Sequence, residues 1–213
     1  MIRALLVDDH PVVRAGFCRL LEQAGDIKVV AEAGDGDAGY AAFVEHAPDV
    51  VVSDLSMAGG GGFDLIRRVL VRDPDARILI FSMHDGALLV RRAVAAGARG
   101  FLTKASAPEC LVTAIRALHD GKRYLAPGLS LGGAQGDAAS DAERLAALSG
   151  REFDVFRLLA AGRTAAECGQ ELNLSAKTIA NYQTAIKEKL GVSTLAALAH
   201  LALRHRVIGA AES

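Results

Sequence analysis

Asp8, Asp9, Asp54, Ser82 and Lys104 are the side chains whose types and spacing point to chemistry. Each stands at the end of a short apolar run or just past it. Asp8 and Asp9 follow Ile2 to Val7, Asp54 follows Val50 to Ser53, Ser82 closes Ile78 to Ser82, and Thr103-Lys104 follow Gly100 to Leu102. Three carboxylates gathered in one crevice repel one another, so the arrangement is stable when a hard, oxygen-seeking cation, Mg2+ first among them, sits between them. A lysine beside them holds one phosphoryl oxygen and a serine hydroxyl another, which together describe a site for phosphoryl transfer. A phosphohydrolase using Asp54 as nucleophile typically has a second carboxylate two residues on; Ser56 stands there and argues against turnover of small phosphate esters. His10 adjoins the aspartates, but no second histidine lies at ligand spacing, so it is expected to be exposed at the start of the first helix.

These side chains meet only if the runs that carry them lie side by side. Up to about residue 120, five apolar runs (the four above and Ile27 to Ala31) alternate with helix-period stretches at about 11–24, 37–46, 62–71, 87–96 and 107–119. Such alternation predicts a five-stranded, doubly wound parallel sheet, an α/β fold whose functional groups collect at the carboxyl ends of the strands. Residues 1–123 form this domain. Residues 124–146, rich in glycine, proline and serine, read as a linker.

Residues 147–213 show helical periodicity throughout, with helices expected at about 150–161, 165–172, 176–190 and 194–206. Ser149-x-x-Glu152 and Thr164-x-x-Glu167 read as capping boxes, Ser175 and Ser193 as further N-caps, and Gly162 and Gly191 as stops. Four short helices with tight turns predict an all-α helix-turn-helix domain, with Gly169 where a small residue allows close approach. Ile179, Ile186 and Leu190 face its core, leaving Lys177, Ala180, Asn181, Thr184, Lys187 and Glu188 on the opposite face. This segment carries eight basic against six acidic side chains, a weak electrostatic hint toward nucleic acid.

Val7-Asp8-Asp9-His10, Ser53-Asp54-Leu55-Ser56-Met57, Ile80-Phe81-Ser82 and Gly97 to Lys104 resemble the receiver (flavodoxin-like) domains of two-component response regulators. Leu148-Ser149-x-Arg151-Glu152, Leu158-Leu159-Ala160-x-Gly162, Leu174-Ser175-x-Lys177-Thr178-Ile179 and Lys189 to Val192 resemble the NarL/FixJ (LuxR-type) DNA-binding domain. The resemblance implies a phosphorylation-switched transcription regulator in which Asp54 accepts a phosphoryl group from a histidine kinase. It further implies that Asp8, Asp9, Asp54 and the Ser56 carbonyl bind Mg2+, that Lys104 pairs with the phosphoryl oxygen, that Ser82 senses it, and that the Phe101 ring reports the state. Asn181, Thr184 and Ala180 would face base edges of double-stranded promoter DNA, with Lys177, Thr178, Tyr182 and Lys187 near phosphates. Leu195, Leu198, Ala199 and Ala202 would form a homodimer on activation, and RNA polymerase is a further partner of this class.

The chain departs from the family at Ala58, where proline is usual, at Gly59 to Gly62, which predict a mobile loop, at Ala105, also often proline, and at Gln183, where arginine is common. A protein-contact or phosphorylation-independent regulator is the alternative that Gln183 and the low basicity permit. The remaining composition narrows the class. The 213 residues have 24 Lys plus Arg against 25 Asp plus Glu, excluding a uniformly basic coat protein, and 51% hydrophobic residues, enough for a sizeable core. Aromatics at 5%, with no tryptophan, argue against an aromatic-lined ligand pocket. Three scattered cysteines suggest neither disulfides nor zinc, and no apolar run approaches the roughly 18–20 residues of a membrane span, so a soluble, cytoplasmic protein is expected.

Overall fold

Val50–Ser53 and Ile78–Ser82 are buried along their whole length, which is why they read as unbroken apolar runs: both faces of a parallel sheet are covered by helices. The computed structural model of the chain describes residues 1–57, 61–129 and 137–208, with 137–140 described by backbone alone. Ala58 to Gly60 and the glycine-rich part of the expected linker at 130–136 lie outside the described residues.

Along the chain up to residue 125, β1 (Ile2–Val7), α1 (Pro11–Gln23), β2 (Ile27–Ala33), α2 (Gly36–His46), β3 (Val50–Ser53), α3 (Gly62–Arg72), β4 (Ile78–Ser82), α4 (Ala87–Ala95), β5 (Gly100–Thr103), α5 (Pro108–His119) and β6 (Tyr124–Leu125) follow in order, and all but most of α4 belong to the first of two compact units. The sheet is parallel, ordered β2-β1-β3-β4-β5-β6. It has six strands, one more than the pattern predicts: Tyr124–Leu125 is too short to show a periodicity, and its pairing with Gly100 and Phe101 is a tertiary choice. Ala4, Leu6, Val50, Val52, Leu79, Phe81 and Leu102 pack with Leu21 of α1 and Leu111, Ile115 and Leu118 of α5 on one side of the sheet. Each valine, leucine, isoleucine or phenylalanine among them, fully buried, contributes about 1.5–3 kcal/mol. Cys18, Cys110 and Cys168 are free thiols, and burial together with a hydrogen bond to Glu32 pushes that of Cys18 up to about 12.

The second compact unit comprises His84–Arg92, which carry most of α4, and the chain from Ser130 on. Its helices are α6 (Asp137–Ala146), α7 (Gly150–Ala160), α8 (Ala165–Leu172), α9 (Ala176–Leu190) and α10 (Leu195–Arg204). Within this unit the Arg92 guanidinium lies 4.1 Å from the Phe153 ring centre and donates to the carbonyls of Leu145 (2.7 Å) and Leu148 (2.9 Å). α6 falls in the stretch read as linker; among its described side chains, 141–146, the buried apolar ones are Ala142 and Leu145, too few to announce an amphipathic helix. Both capping boxes form, at Ser149/Glu152 and Thr164/Glu167, and Ser175 caps α9. α10 is capped by Thr194 rather than Ser193, the Thr194 hydroxyl accepting from the Ala197 N–H at 3.1 Å.

Candidate functional site

Register brings the acidic residues together. Val7 of β1 pairs with Ser53 of β3, so Asp8 and Asp54 are each one residue past the end of adjacent strands. Ser82 pairs with Thr103, and Lys104 is one residue past β5. The loop starts are pinned by further ladder bonds, Asp54 N–H to the Val7 carbonyl (2.9 Å), Asp8 N–H to Ala33 (3.0 Å) and Lys104 N–H to Ser82 (2.8 Å). All lie at the carboxyl edge beside the switch point between β1 and β3 where the strand order reverses.

Lys104 Nζ sits 2.6 Å from Asp8 Oδ2 and 2.7 Å from Asp54 Oδ2, and the three side chains are 4, 3 and 1% exposed. Burial pulls the ammonium pKa down, but the two carboxylates, Asp54 foremost, outweigh it, so Lys104 titrates above its ordinary value and stays charged. Asp54 Oδ1 accepts the Ser56 N–H at 3.1 Å, and Arg14 donates to the Asp8 backbone carbonyl at 2.5 Å while pairing with Glu32. Asp9 is held above the ordinary carboxylate range by burial and, beyond it, by the neighbouring charges of Asp54 and Asp8; His10 pulls the other way. With all three aspartates ionised and Lys104 protonated the cluster carries two uncompensated negative charges. Asp9 Oδ1 is buried without a hydrogen bond, and one ligand atom from each of Asp8, Asp9, His10 and Asp54 lies within 4.8 Å of the others. The residues therefore fit a divalent cation.

In the second unit α8 and α9 are joined by a turn with Asn173 in the left-handed region (φ 54°). Gly169 is required there: a methyl group on it would stand 2.6 Å from the Leu174 carbonyl oxygen. Ile179, Ile186 and Leu190 are buried, while Lys177, Ala180, Asn181 and Thr184 are exposed along one side of α9 and Thr178, Tyr182 and Lys187 are half-buried. The α9 C-terminus is tied to α7 through Lys189 Nζ, 2.8 Å from both Glu152 oxygens, while Glu152 also accepts the Ser149 N–H at 2.7 Å. Burial would raise the Glu152 pKa; hydrogen bonds from Lys189 and Ser149 override it, and the carboxyl titrates below its ordinary value. A lowered folded-state pKa stabilises above the ordinary value of about 4.5 and is lost as the pH falls through the folded one. Glu152→Gln is accordingly expected to cost about 1–2 kcal/mol at neutral pH and to flatten the acid limb of the unfolding curve below about pH 4.5, measured by urea titration at several pH values.

Residues 4–116 match the response regulator receiver domain, and residues 146–202 match the bacterial regulatory proteins of the luxR family. The chain belongs to the LuxR-type response regulators. This response regulator is 36% identical to the response regulator UvrY of Escherichia coli strain K12 over 212 residues, covering 99% of this chain and 97% of UvrY. It is 40% identical over 203 residues to the transcriptional activator protein ExaE of Pseudomonas putida, covering 93% and 94%. Among solved structures, RcsB of Salmonella enterica serovar Typhimurium, bound to promoter DNA in the presence of the phosphomimetic BeF3−, superposes with a TM-score of 0.68 at 27% identity, covering 95% of this chain and 98% of that one.

Of the residues singled out in this response regulator's sequence, Asp8, Asp54 and Lys104 meet directly, and Asp9 borders them. Ser82 and Phe101 are completely buried on β4 and β5. His10 is exposed and immediately precedes α1, as expected. Leu195 is exposed and Ala199 half-buried, but Leu198 and Ala202 lie in the unit's own core and cannot form a partner surface; Leu203 is a further exposed apolar side chain of α10. Arg14 and the Glu152–Lys189 pair are contributions that periodicity alone does not reveal, since each depends on a contact between distant segments.

Proposed function

We propose that this response regulator accepts a phosphoryl group on Asp54 from a sensor histidine kinase and, once phosphorylated, binds double-stranded promoter DNA as a homodimer. The observation that carries the reading is the buried Lys104 ammonium bridging Asp8 and Asp54. The Asp54 carboxylate forms the new phosphorus–oxygen bond as the phosphorus–nitrogen bond of the donor phosphohistidine breaks. Lys104 moves its ammonium from the bare carboxylate to the incoming phosphoryl oxygen, and Ser82, at the end of the neighbouring strand, takes a second oxygen. Asp8, Asp9, Asp54 and the Ser56 carbonyl would hold Mg2+, which neutralises phosphoryl charge when bound. The chemistry is self-directed transfer rather than turnover of a substrate, so the chain is a transcription regulator and not an enzyme.

The buried Phe101 ring is the element whose rotamer follows the phosphoryl group. Residues 1–123, extended by the β6 strand, act as the receiver and 147–213, preceded by α6, as the DNA-binding domain, in keeping with the matched regions. In α9, Ala180, Asn181 and Thr184 read base edges while Lys177, Thr178, Tyr182 and Lys187 approach phosphates. The bound promoter in the RcsB structure supports this assignment. Leu195 and Ala199 of α10 belong to the dimer surface, and RNA polymerase is the partner at the promoter. Among the described residues no helix is long and apolar enough to cross a membrane, in keeping with action in the cytoplasm.

The test is intact mass after incubation with acetyl phosphate and Mg2+. A single phosphoryl adduct is expected in the wild type and none in Asp54→Asn, with DNA mobility shift enhanced only in the former. An adduct that persists in Asp54→Asn rejects Asp54 as the acceptor. No adduct in either protein leaves a regulator that works without phosphorylation.

A further inference from the structure

We infer that Arg14 is a positioning residue: its guanidinium, anchored on Glu32, braces the peptide that joins Asp8 to Asp9 and thereby sets both carboxylates for a divalent cation. The inference rests on the proposed reading of the cluster as a Mg2+ site. Arg14 Nη1 donates to the Asp8 carbonyl at 2.5 Å, and Arg14 Nε donates to Glu32 Oε2 at 3.1 Å. That carbonyl belongs to the planar unit between the two aspartates, so holding its oxygen fixes ψ of Asp8 and φ of Asp9 together.

The brace spans three elements. Asp8 follows β1, Arg14 lies in the first turn of α1, and Glu32 is the last residue but one of β2. Val7 pairs with Ala33, and the Asp8 N–H extends that ladder to the Ala33 carbonyl at 3.0 Å. The sheet thus holds Asp8 through its N–H and Arg14 holds it through its carbonyl, where the chain leaves the sheet for α1. A guanidinium suits this task because its rigid fork offers donors in fixed directions, one for each anchor. Glu32 is itself seated: Cys18, one turn further along α1, gives it a hydrogen bond from the thiol. Arg14 meets the backbone oxygen of Asp8 and not its carboxylate, so it orders the aspartates without competing for the oxygens that face Lys104.

The experiment titrates the full-length chain with Mg2+ alone, followed by amide NMR shifts, and separately measures how phosphoryl acceptance from acetyl phosphate depends on Mg2+. Arg14→Met is expected to weaken Mg2+ binding about tenfold, the loss that follows removal of a group orienting metal ligands, and to raise the Mg2+ midpoint of acceptance by the same factor. The rate at saturating Mg2+ is expected to fall by less than about threefold, because the cation, once bound, holds the aspartates itself. Glu32→Gln keeps an acceptor for Nε and should stay within about twofold of the wild type, whereas Glu32→Met should lose about threefold and add nothing to Arg14→Met, since Glu32 acts through Arg14. A merely structural role lowers the folded fraction and the maximal extent of acceptance without moving the Mg2+ midpoint. That result, or unchanged Mg2+ binding in Arg14→Met, overturns the role of Arg14 while leaving the aspartate site standing. Failure of the wild type to bind Mg2+ overturns the site as well.

Discussion

Lys104→Met is expected to lower the unfolding free energy of the receiver unit by about 3 kcal/mol in the absence of divalent cation. Methionine matches the length of the stem, so packing is largely kept and the loss is electrostatic. Asp8 and Asp54, 3 and 1% exposed, are left facing each other with the ammonium gone. Removing one partner of a buried ion pair is costly because the other charge stays desolvated and unpaired. Two companion effects identify the cause. The variant should gain stability when the pH is lowered from about 7 to 5, because the Asp9 carboxyl, raised by burial and by the charges of Asp54 and Asp8, also loses the Lys104 charge that holds it down, making the folded state the better proton acceptor. The wild type should change little over that interval, since the raised Lys104 pKa keeps its stabilisation intact until the pH climbs past the ordinary lysine value. Saturating Mg2+ should restore about 2.7 kcal/mol at a hundredfold excess over its Kd. Phosphoryl acceptance from acetyl phosphate should fall about a hundredfold, the usual loss when one preorganised donor to developing charge is removed. Urea unfolding with and without Mg2+ reads the first three; a variant as stable as the wild type without cation would show that Lys104 does not balance the cluster.

Gly62→Ala is expected to cost about 2–3 kcal/mol, although alanine is the better helix former. Gly62 opens α3, and its N–H donates to the Leu55 carbonyl at 3.2 Å. A methyl group there would stand 2.3 Å from the Asp54 carbonyl oxygen and 2.7 Å from the Leu55 Cα. Both obstacles are backbone, so relief requires moving the segment that carries Asp54. A displacement approaching 1 Å slows transfer about a hundredfold, and phosphorylation should suffer beyond the loss of stability. Gly16→Ala is the matched control. That position lies inside α1 with nothing within 4 Å of the added methyl group, so the substitution should stabilise by about 0.5–1 kcal/mol. Equal effects of the two substitutions would mean that helix propensity, not steric space, governs position 62.

The acidic pit was legible because a parallel sheet writes itself plainly. A strand buried on both faces appears as an apolar run, and a polar residue that ends the run marks the edge where loops converge. Asp8, Asp54 and Lys104 obey that rule, and register then makes them neighbours. Features decided by tertiary choice were not legible. Two residues of β6 carry no periodicity, and among the described side chains of α6 only Ala142 and Leu145 are buried. Thr194 in place of Ser193 as the α10 cap is a one-residue ambiguity between adjacent hydroxyls that only backbone dihedrals resolve. The resemblance assigns Leu198 and Ala202 to the dimer surface, and a helix so rich in alanine and leucine offers no polar stripe by which the sequence could show that they face the unit's own core. The glycine run after Asp54 predicts freedom, yet Gly61 takes a positive φ of 36° and Gly62 is held by close contact, so at these two positions glycine answers a geometric demand.

The sheet order also bears on how the chain survives its own synthesis. β1 is made first but lies between β2 and β3, so it lacks a neighbour on one side until residue 53 has emerged. From there growth runs outward through β3, β4 and β5, and each stage leaves the newest apolar strand as an open edge able to pair with another nascent chain. The opposite margin is protected early by Lys28 and Glu32, exposed charges on β2. The β5 side is shielded last, by a strand only two residues long that covers Gly100 and Phe101 and is itself too short to template another. Tyr124–Leu125 thus acts as a terminator for strand addition, and the interval between β3 and β6 is the stretch of translation in which this chain most needs a chaperone.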